Sequence, residues 1–118
     1  MMNISDQQLT KDLWLVNVSG RLDQQETAIF EKYLNNLLIK GHNQLLIDLS
    51  EVTYVNSGGL RCLVTVWRQA QEQGGDVALC SLNERIAQLF AVVGFSKVFN
   101  IYPSQDSAIQ ELTGKKPS

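Results

Sequence analysis

The spacing of hydrophobic residues changes repeatedly along the chain, from the alternation typical of strands to the three- and four-residue spacing of helices. Residues 3–19 contain two strand-like segments on either side of a polar turn at 10–12. In the second segment, Trp14, Val16 and Val18 occupy alternate positions. Because strands joined by a short polar turn commonly pair with each other, this pattern predicts an N-terminal hairpin.

The first helix is predicted to begin at Asp23. Asp23 followed three positions later by Glu26 resembles a capping box, in which side-chain oxygens accept hydrogen bonds from the free N–H groups of the first turn. Apolar residues with helical spacing follow, namely Ile29, Phe30, Tyr33, Leu34, Leu37 and Leu38. Gly41 supplies the left-handed residue at which many helices end. We expect one face of this helix, carrying these apolar residues, to be buried.

The nearly unbroken apolar run at 45–49 predicts a central strand that is covered on both faces. A connector is expected over 50–56. Hydrophobic residues then recur at helical spacing, and these are Leu60, Leu63, Val64, Trp67 and Ala70. The recurrence stops at Gly74 and Gly75, so a second helix is predicted between the connector and these glycines.

The rest of the chain predicts a further strand and a third helix, followed by a short apolar segment and a last amphipathic turn or two. A buried strand is expected at 77–80, and Asn83 is expected to cap a third helix that ends at Gly94. The apolar residues of this helix are Ile86, Leu89, Phe90 and Val93. A short apolar segment follows at 98–102, and a last amphipathic turn or two carries Ala108, Ile109 and Leu112. Strands that alternate with helices imply parallel pairing, so the predicted fold class is α/β.

Length and composition limit the chain to one domain. Its 118 residues, 44% of them hydrophobic, suffice for a single core, which we assign to residues 1–114, with a frayed tail at 115–118. The net charge is −2 and the basic residues do not form a stripe, and both observations argue against direct binding of nucleic acid. No run approaches the roughly 20 apolar residues of a membrane span, and no signal peptide is visible, so we expect a cytoplasmic protein without membrane insertion.

Candidate catalytic chemistry is sparse in this sequence. Cys62 and Cys80 lie in apolar runs without the spacing of a redox pair or a zinc site, and both are interpreted as core residues. The single histidine, His42, follows Gly41 in a polar stretch and is expected to be an exposed loop residue. Trp14 and Trp67 are expected in the core. Without a positioned base, a carboxylate pair or a metal cluster, the sequence predicts a protein that is not an enzyme and holds no cofactor or metal.

The most informative stretch is 54–61, where a buried strand leads into the second helix. Ser57 lies just before the helical spacing begins and is predicted as the N-cap, a position that favours negative charge. Gly58 and Gly59 lack a β-carbon and would allow another molecule to approach closely. A plain cap followed by a tight turn is the simplest alternative. A nucleotide-binding loop is disfavoured because it would end in Lys-Ser or Lys-Thr, which is absent.

At this junction the chain resembles a STAS domain of the bacterial anti-sigma factor antagonist family. The matching motifs are Gly20-Arg21-Leu22-Asp23, the run 46–54, Asn56-Ser57-Gly58-Gly59-Leu60 and Val93-Gly94-Phe95. The family pattern at the junction is Asp-Ser-Ser/Thr-Gly-Leu. This chain keeps the serine, the second glycine and the leucine, but has Asn56 for the aspartate and Gly58 for the second hydroxyl residue. The resemblance implies a mixed sheet of four to five strands with an N-terminal hairpin and about four helices.

The resemblance also implies a phosphorylation switch. In that family the serine after the aspartate, here Ser57, is phosphorylated by a partner that is both a serine kinase and an anti-sigma factor. The unphosphorylated antagonist binds this partner and frees a sigma factor for transcription, and the phosphorylated form releases it. A serine phosphatase would reset the switch. The expected partner-binding residues are Asp23, Asn56, Gly58, Gly59 and Arg61.

Two other signalling roles are possible for an α/β domain of this length. A receiver domain would need an acidic pair after its first strand and an acceptor aspartate at a strand end, whereas Asp48 lies inside its strand run. A STAS subunit that serves a lipid ABC transporter or a stress-signalling complex, with no phosphorylation switch, stays open as the alternative. The identity of the co-purifying partner would distinguish this alternative from the sigma-factor role.

Overall fold

The computed structural model describes residues 2–114, so the tail expected to be frayed at 115–118 lies outside the described residues. The elements in chain order are β1 (Asn3–Gln8), β2 (Leu13–Leu22), α1 (Gln24–Ile39), β3 (Gln44–Val55), α2 (Ser57–Glu72), β4 (Asp76–Cys80), α3 (Glu84–Val92), a 3-10 turn (Phe95–Lys97), β5 (Asn100–Tyr102) and α4 (Gln105–Thr113). Five strands and four α-helices within this part of the chain confirm the predicted mixed α/β fold.

The five strands form one sheet in the order β1-β2-β3-β4-β5. The first two pair antiparallel, with Asn3 opposite Ser19 and Gln8 opposite Trp14, so the N-terminal hairpin is confirmed. The Thr10 hydroxyl accepts a hydrogen bond from the backbone N–H of Leu13 at 3.1 Å and closes the polar turn. All other neighbours pair parallel, as the alternation of strands and helices predicts.

The sheet carries a hydrophobic core on each face. The larger core lies under α1, α2 and α3, and the smaller one lies under α4. Along β3, Leu45, Ile47 and Leu49 belong to the larger core, whereas Leu46 belongs to the smaller one. Covering on both faces explains why this strand is an almost continuous apolar run, and the prediction of a buried central strand is confirmed.

The connector predicted over 50–56 is wrong, because β3 continues to Val55. Its second half pairs with the end of β2, as far as Leu22 opposite Val55. Val52 and Val55 are buried while the two residues between them are exposed. This three-residue spacing departs from strict alternation at the point where the pairing of β2 with β3 shifts register, between Gly20 and Arg21. The exposed residues of this segment are therefore the solvent side of a strand.

Two expectations about burial are also corrected. Ile29 was expected on the buried face of α1, but its side chain is 54% exposed, and Thr27 takes part in that face instead. His42 is half-buried instead of exposed, because its ring stacks on Trp14 with the ring centroids 4.1 Å apart. Trp14 is itself only partly buried and packs against the rim of the larger core.

Helix α4 is held against the sheet by a buried polar contact. The carboxylate of Asp48, 6% exposed, accepts a hydrogen bond from the backbone N–H of Ser50 at 2.8 Å and another from the side-chain amide of Gln105. The same amide reaches Asn17 at 3.3 Å. Asp48 is thus occupied in the interior of the sheet, on the face covered by α4.

Both cysteines are buried, as predicted, and burial raises the pKa of the Cys62 thiol to about 12 and that of the Cys80 thiol to about 11.

A free thiol with a pKa of about 8.5 would be substantially ionised at about pH 8. We expect an aromatic disulfide reagent to leave both thiols of the folded protein unmodified at that pH and to modify both after denaturation in guanidinium chloride. Absorbance of the released thiolate measures this, and rapid labelling of the folded chain would contradict it.

Candidate functional site

Three helices begin at the same edge of the sheet, where the parallel strands β2, β3 and β4 end. Each start is capped by an Asp or Asn side chain, namely Asp23, Asn56 and Asn83. Each of these accepts a hydrogen bond from the backbone N–H three residues further on, at 3.3, 2.8 and 3.0 Å. The positive ends of three helix dipoles therefore lie along one edge, which is where open α/β sheets commonly bind their ligands.

The prediction that Ser57 is the N-cap of α2 is wrong. Asn56 is the cap, with an extended backbone at φ −87° and ψ 179°, and its Oδ1 accepts the hydrogen bond from the backbone N–H of Gly59. Ser57 is the first helical residue and its side chain is exposed. The Ser57 hydroxyl is therefore available at the surface and is not required for capping.

Thr27 links the starts of α1 and α2 and was missed by the sequence analysis. Its side chain is buried, and its hydroxyl oxygen lies 2.7 Å from the backbone carbonyl oxygen of Asp23 and 3.2 Å from Oδ1 of Asn56. A hydroxyl has one proton, which serves one of these two acceptors at a time. A threonine on an otherwise apolar helix face, one turn after a cap, is the signal that sequence reasoning could have used.

The two glycines of the junction have different surroundings. A β-carbon on Gly59 would lie 2.8 Å from Cγ1 of Val55, which is too close for two carbon atoms, and 3.4 Å from Cβ of Leu22. A β-carbon on Gly58 would meet only Oδ1 of Asn56 at 3.4 Å and Cγ2 of Thr27 at 3.5 Å. Gly59 is buried and lets α2 pack directly on the sheet, so its contribution to any contact surface is indirect.

Most of the predicted partner-binding residues surround Ser57. A shallow surface depression is lined by Gln24, Thr27, Asn56, Ser57, Gly58 and Arg61. Arg61 is exposed and lies one helical turn after Ser57, whereas Asp23 is half-buried at the neighbouring helix start. Gln24 and Thr27 are members of this surface that the sequence analysis did not find.

A cation–aromatic pair lies at the ends of the two strands that lead into α1 and α2. The guanidinium carbon of Arg21 lies 4.4 Å from the centroid of the Tyr54 ring, and these two residues are paired in the register of β2 and β3. Tyr54 is 39% exposed. Arginine and tyrosine are enriched at the energetic centres of protein interfaces, which suits a docking surface at this edge.

The lining of the depression limits its chemistry. None of its six residues is a carboxylate or an imidazole, so the lining of the depression supplies no general base. His42 precedes β3 and therefore lies at the opposite edge of the sheet. Across residues 2–114, no group of three His, Cys, Asp or Glu side chains is placed to bind a metal ion, and no helix has the length and apolar character needed to cross a membrane. The depression thus presents an exposed serine hydroxyl without a side chain of its own lining that would activate it.

Comparison with known proteins gives a family match over most of the chain. The sequence profile described as the STAS domain matches residues 6–108. Among curated relatives, the anti-sigma-B factor antagonist of Bacillus subtilis is 28% identical over 109 residues, which cover 92% of this chain and 98% of that protein.

Solved structures share the fold at lower identity. An anti-sigma factor antagonist from Mycobacterium paratuberculosis superimposes with a TM-score of 0.84 at 22% identity, covering 94% of this chain and 93% of the other. The murine anion transporter Solute Carrier 26 family member A9 contains a similar domain, with a TM-score of 0.76 at 16% identity, covering 92% of this chain and 19% of the transporter. The same fold thus occurs in proteins of different function, and the likeness of fold alone does not assign one.

The surroundings of the two glycines predict opposite effects of the same substitution. We expect Gly59→Ala to lower the free energy of unfolding by about 1–3 kcal/mol, because the new methyl group overlaps Val55. Gly58→Ala should leave it unchanged or raise it by up to about 1 kcal/mol, because alanine favours a helix over glycine. Urea denaturation of both variants measures the difference, each serving as the control for the other. Equal losses would contradict the packing role of Gly59.

The cap at Asn56 generates a second stability prediction. Asn56→Ala removes the acceptor of the Gly59 N–H and should cost about 1 kcal/mol of unfolding free energy. Asn56→Asp keeps an acceptor oxygen and adds negative charge at the positive end of α2, so it should hold or raise the stability by less than about 1 kcal/mol. Thermal and urea unfolding of the two variants test this. A loss of the same size in both would show that Asn56 does not cap the helix.

Proposed function

The chain belongs to the STAS domain family, and we propose that it acts as an anti-sigma factor antagonist, a cytoplasmic protein that works by binding and not by catalysis. In its unphosphorylated form it binds an anti-sigma factor with serine kinase activity and so frees a sigma factor for transcription. Phosphorylation of Ser57 releases this partner. The observation that carries the proposal is the exposed hydroxyl of Ser57 on the first turn of α2, at the edge where three helices begin.

The name of the relative from Bacillus subtilis, an anti-sigma-B factor antagonist, supports this role. The match covers nearly the whole of both chains. The surface around Ser57 adds independent support, because it is polar, shallow and without catalytic groups of its own. These properties suit a substrate of a protein kinase and a docking surface better than an active site.

The proposed modification is a phosphoryl transfer from ATP bound to the partner kinase. The Oγ atom of Ser57 attacks the γ-phosphorus, the new O–P bond forms, and the bond from that phosphorus to the leaving ADP oxygen breaks. The hydroxyl proton passes to a base of the kinase, because the depression contains none. A serine phosphatase reverses the modification, since water attacks the phosphorus and returns the serine hydroxyl and inorganic phosphate.

A phosphate at this position would weaken docking without moving the helix. It adds about −1.5 to −2 charges and three strong acceptor oxygens at neutral pH. A partner that covers the Ser57 surface with acidic or apolar groups would then have to desolvate or repel this charge, which weakens binding by several kcal/mol. The cap at Asn56 and the packing of Gly59 hold the backbone of the site in place, and the Ser57 side chain, which would carry the phosphate, is not the cap.

The two departures from the family pattern fit this role. Asn56 caps α2 through a side-chain oxygen, as an aspartate would, but leaves the acceptor serine without a neighbouring negative charge. Gly58 has space for a side chain and offers no hydroxyl. Thr27 also lines the depression, but its hydroxyl is buried and hydrogen-bonded. Ser57 is thus the exposed hydroxyl of this surface.

The alternative role is that of a STAS subunit that serves a membrane transporter or a stress-signalling complex. The observation that favours this role is the occurrence of the same fold within a murine anion transporter. Co-purification discriminates between the roles, because an ATP-binding serine kinase indicates the sigma-factor pathway and an ABC-type ATPase indicates the transporter.

The proposed switch predicts opposite results for two substitutions at one position. Ser57→Ala should keep the affinity for the anti-sigma factor. Ser57→Asp should weaken it by about 100-fold or more, because the added charge costs several kcal/mol of binding free energy and each 1.4 kcal/mol corresponds to a factor of ten. Isothermal titration calorimetry measures both. Ser96→Asp, a charge added at an exposed serine of the 3-10 turn, is the matched control and should bind normally.

Incubation with the kinase and ATP, followed by mass spectrometry, locates the acceptor directly. Phosphate is expected on the peptide that contains Ser57 in the original chain and nowhere in the Ser57→Ala variant. Normal binding by Ser57→Asp, or phosphate at another residue, would overturn the proposal.

A further inference from the structure

We infer that Arg61 binds the phosphate of phosphorylated Ser57 within the same molecule, as a positioning residue that holds the modified side chain against the first turn of α2. This inference rests on the proposed modification of Ser57 and specifies how the modified state is maintained. It gives Arg61 a function inside the chain, in addition to its predicted place on the partner-binding surface.

The spacing of the two residues brings their side chains together. Ser57 is the first residue of α2 and Arg61 lies four positions later in the same helix. Residues four apart lie on one face, and long side chains in helices point back toward the N-terminus, which is the direction from Arg61 to Ser57. Both side chains are exposed and both line the same surface depression. A phosphate on Ser57 therefore comes within reach of the guanidinium group.

The charges of the helix start favour this ion pair. The first turn of α2 contains no acidic residue and its cap, Asn56, is neutral. Helices α1, α3 and α4 each carry an acidic residue in the first turn, namely Glu26, Glu84 and Asp106. A phosphate on Ser57 supplies α2 with the negative charge that the other helix starts already have, next to a cation four residues further on.

Other charges near this surface act on the phosphate as well. Asp23 and Glu26 lie at the facing start of α1 and would repel it, whereas Arg21, at the end of β2, would attract it. Arg61 differs from Arg21 in two respects, because it shares the helix of Ser57 and its guanidinium is not stacked on Tyr54. The contribution of Arg61 is therefore measured as a difference between variants that keep all the other charges.

The planar guanidinium group can donate two parallel hydrogen bonds to phosphate oxygens, which an ammonium group cannot match. A phosphate held in this way is withdrawn from the solvent and must leave the guanidinium before a phosphatase can position it for attack by water. Arg61 would thus lengthen the lifetime of the phosphorylated state, and it would make that state more resistant to unfolding than the unmodified chain.

The test uses the full chain with phosphoserine inserted at position 57 during translation, so that no kinase is needed. Phosphorus NMR follows the second ionisation of the phosphate in the original chain and in Arg61→Gln, Arg61→Lys and Arg68→Gln variants. Arg68 is an exposed arginine further along α2 and serves as the matched control. We expect Arg61→Gln to raise the pKa of the phosphate by roughly 0.2 to 0.7 units, Arg61→Lys to raise it less, and Arg68→Gln to leave it unchanged.

Thermal unfolding gives a second readout. Phosphoserine should raise the midpoint temperature of the original chain at low salt, and this gain should shrink in Arg61→Gln and in high salt. Without phosphoserine, the Arg61 variants should unfold like the original chain, which shows that the substitution itself does not damage the fold. Equal phosphate pKa values in the original chain and Arg61→Gln would overturn the inference.

Neither measurement involves a partner protein. A failed ion pair would therefore leave the proposed binding switch standing. Failure of Ser57→Asp to weaken partner binding would overturn the switch, whatever the phosphate titration shows.

Discussion

The hydrogen bond from the backbone N–H of Gly59 to Oδ1 of Asn56, 2.8 Å long, determines where the strand β3 ends and the helix α2 begins. Because Asn56 caps the helix, Ser57 becomes its first residue and keeps a free hydroxyl. The same register places Gly59 against Val55, where a β-carbon would overlap. If the cap moved by one residue, the serine hydroxyl would be used in capping and the glycine would no longer meet the tight contact.

Local signals in the sequence were sufficient for much of the fold. The hairpin, the parallel central strands and the helices that begin after Asp23 and Asn83 all depend on alternation, apolar runs and caps, which are properties of neighbouring residues. The end of β3 was not predictable in this way. Its polar residues become a strand only because the end of β2 lies beside them and supplies the hydrogen bonds.

The site was predicted in part for the same reason. The stretch from Asn56 to Arg61 is continuous in the sequence, so its members were found together. Asn56 and Ser57 are both good caps, however, and only the structure shows that Oδ1 of Asn56 accepts the hydrogen bond from the Gly59 N–H. Thr27 was missed because it contacts Asn56 from 29 positions away. The pair of Arg21 with Tyr54 likewise exists only through the register of two strands.

The close packing of α2 on the sheet affects how a partner would recognise the proposed modification of Ser57. The cap and the tight packing beside Gly59 fix the backbone of the junction, so that phosphorylation of Ser57, as proposed, would change the charge of this surface and leave its shape as it is. Under the proposed switch, a partner would distinguish the two forms by charge on first contact, without waiting for a conformational change. The rate of switching would then be set by the kinase and the phosphatase and not by the domain itself.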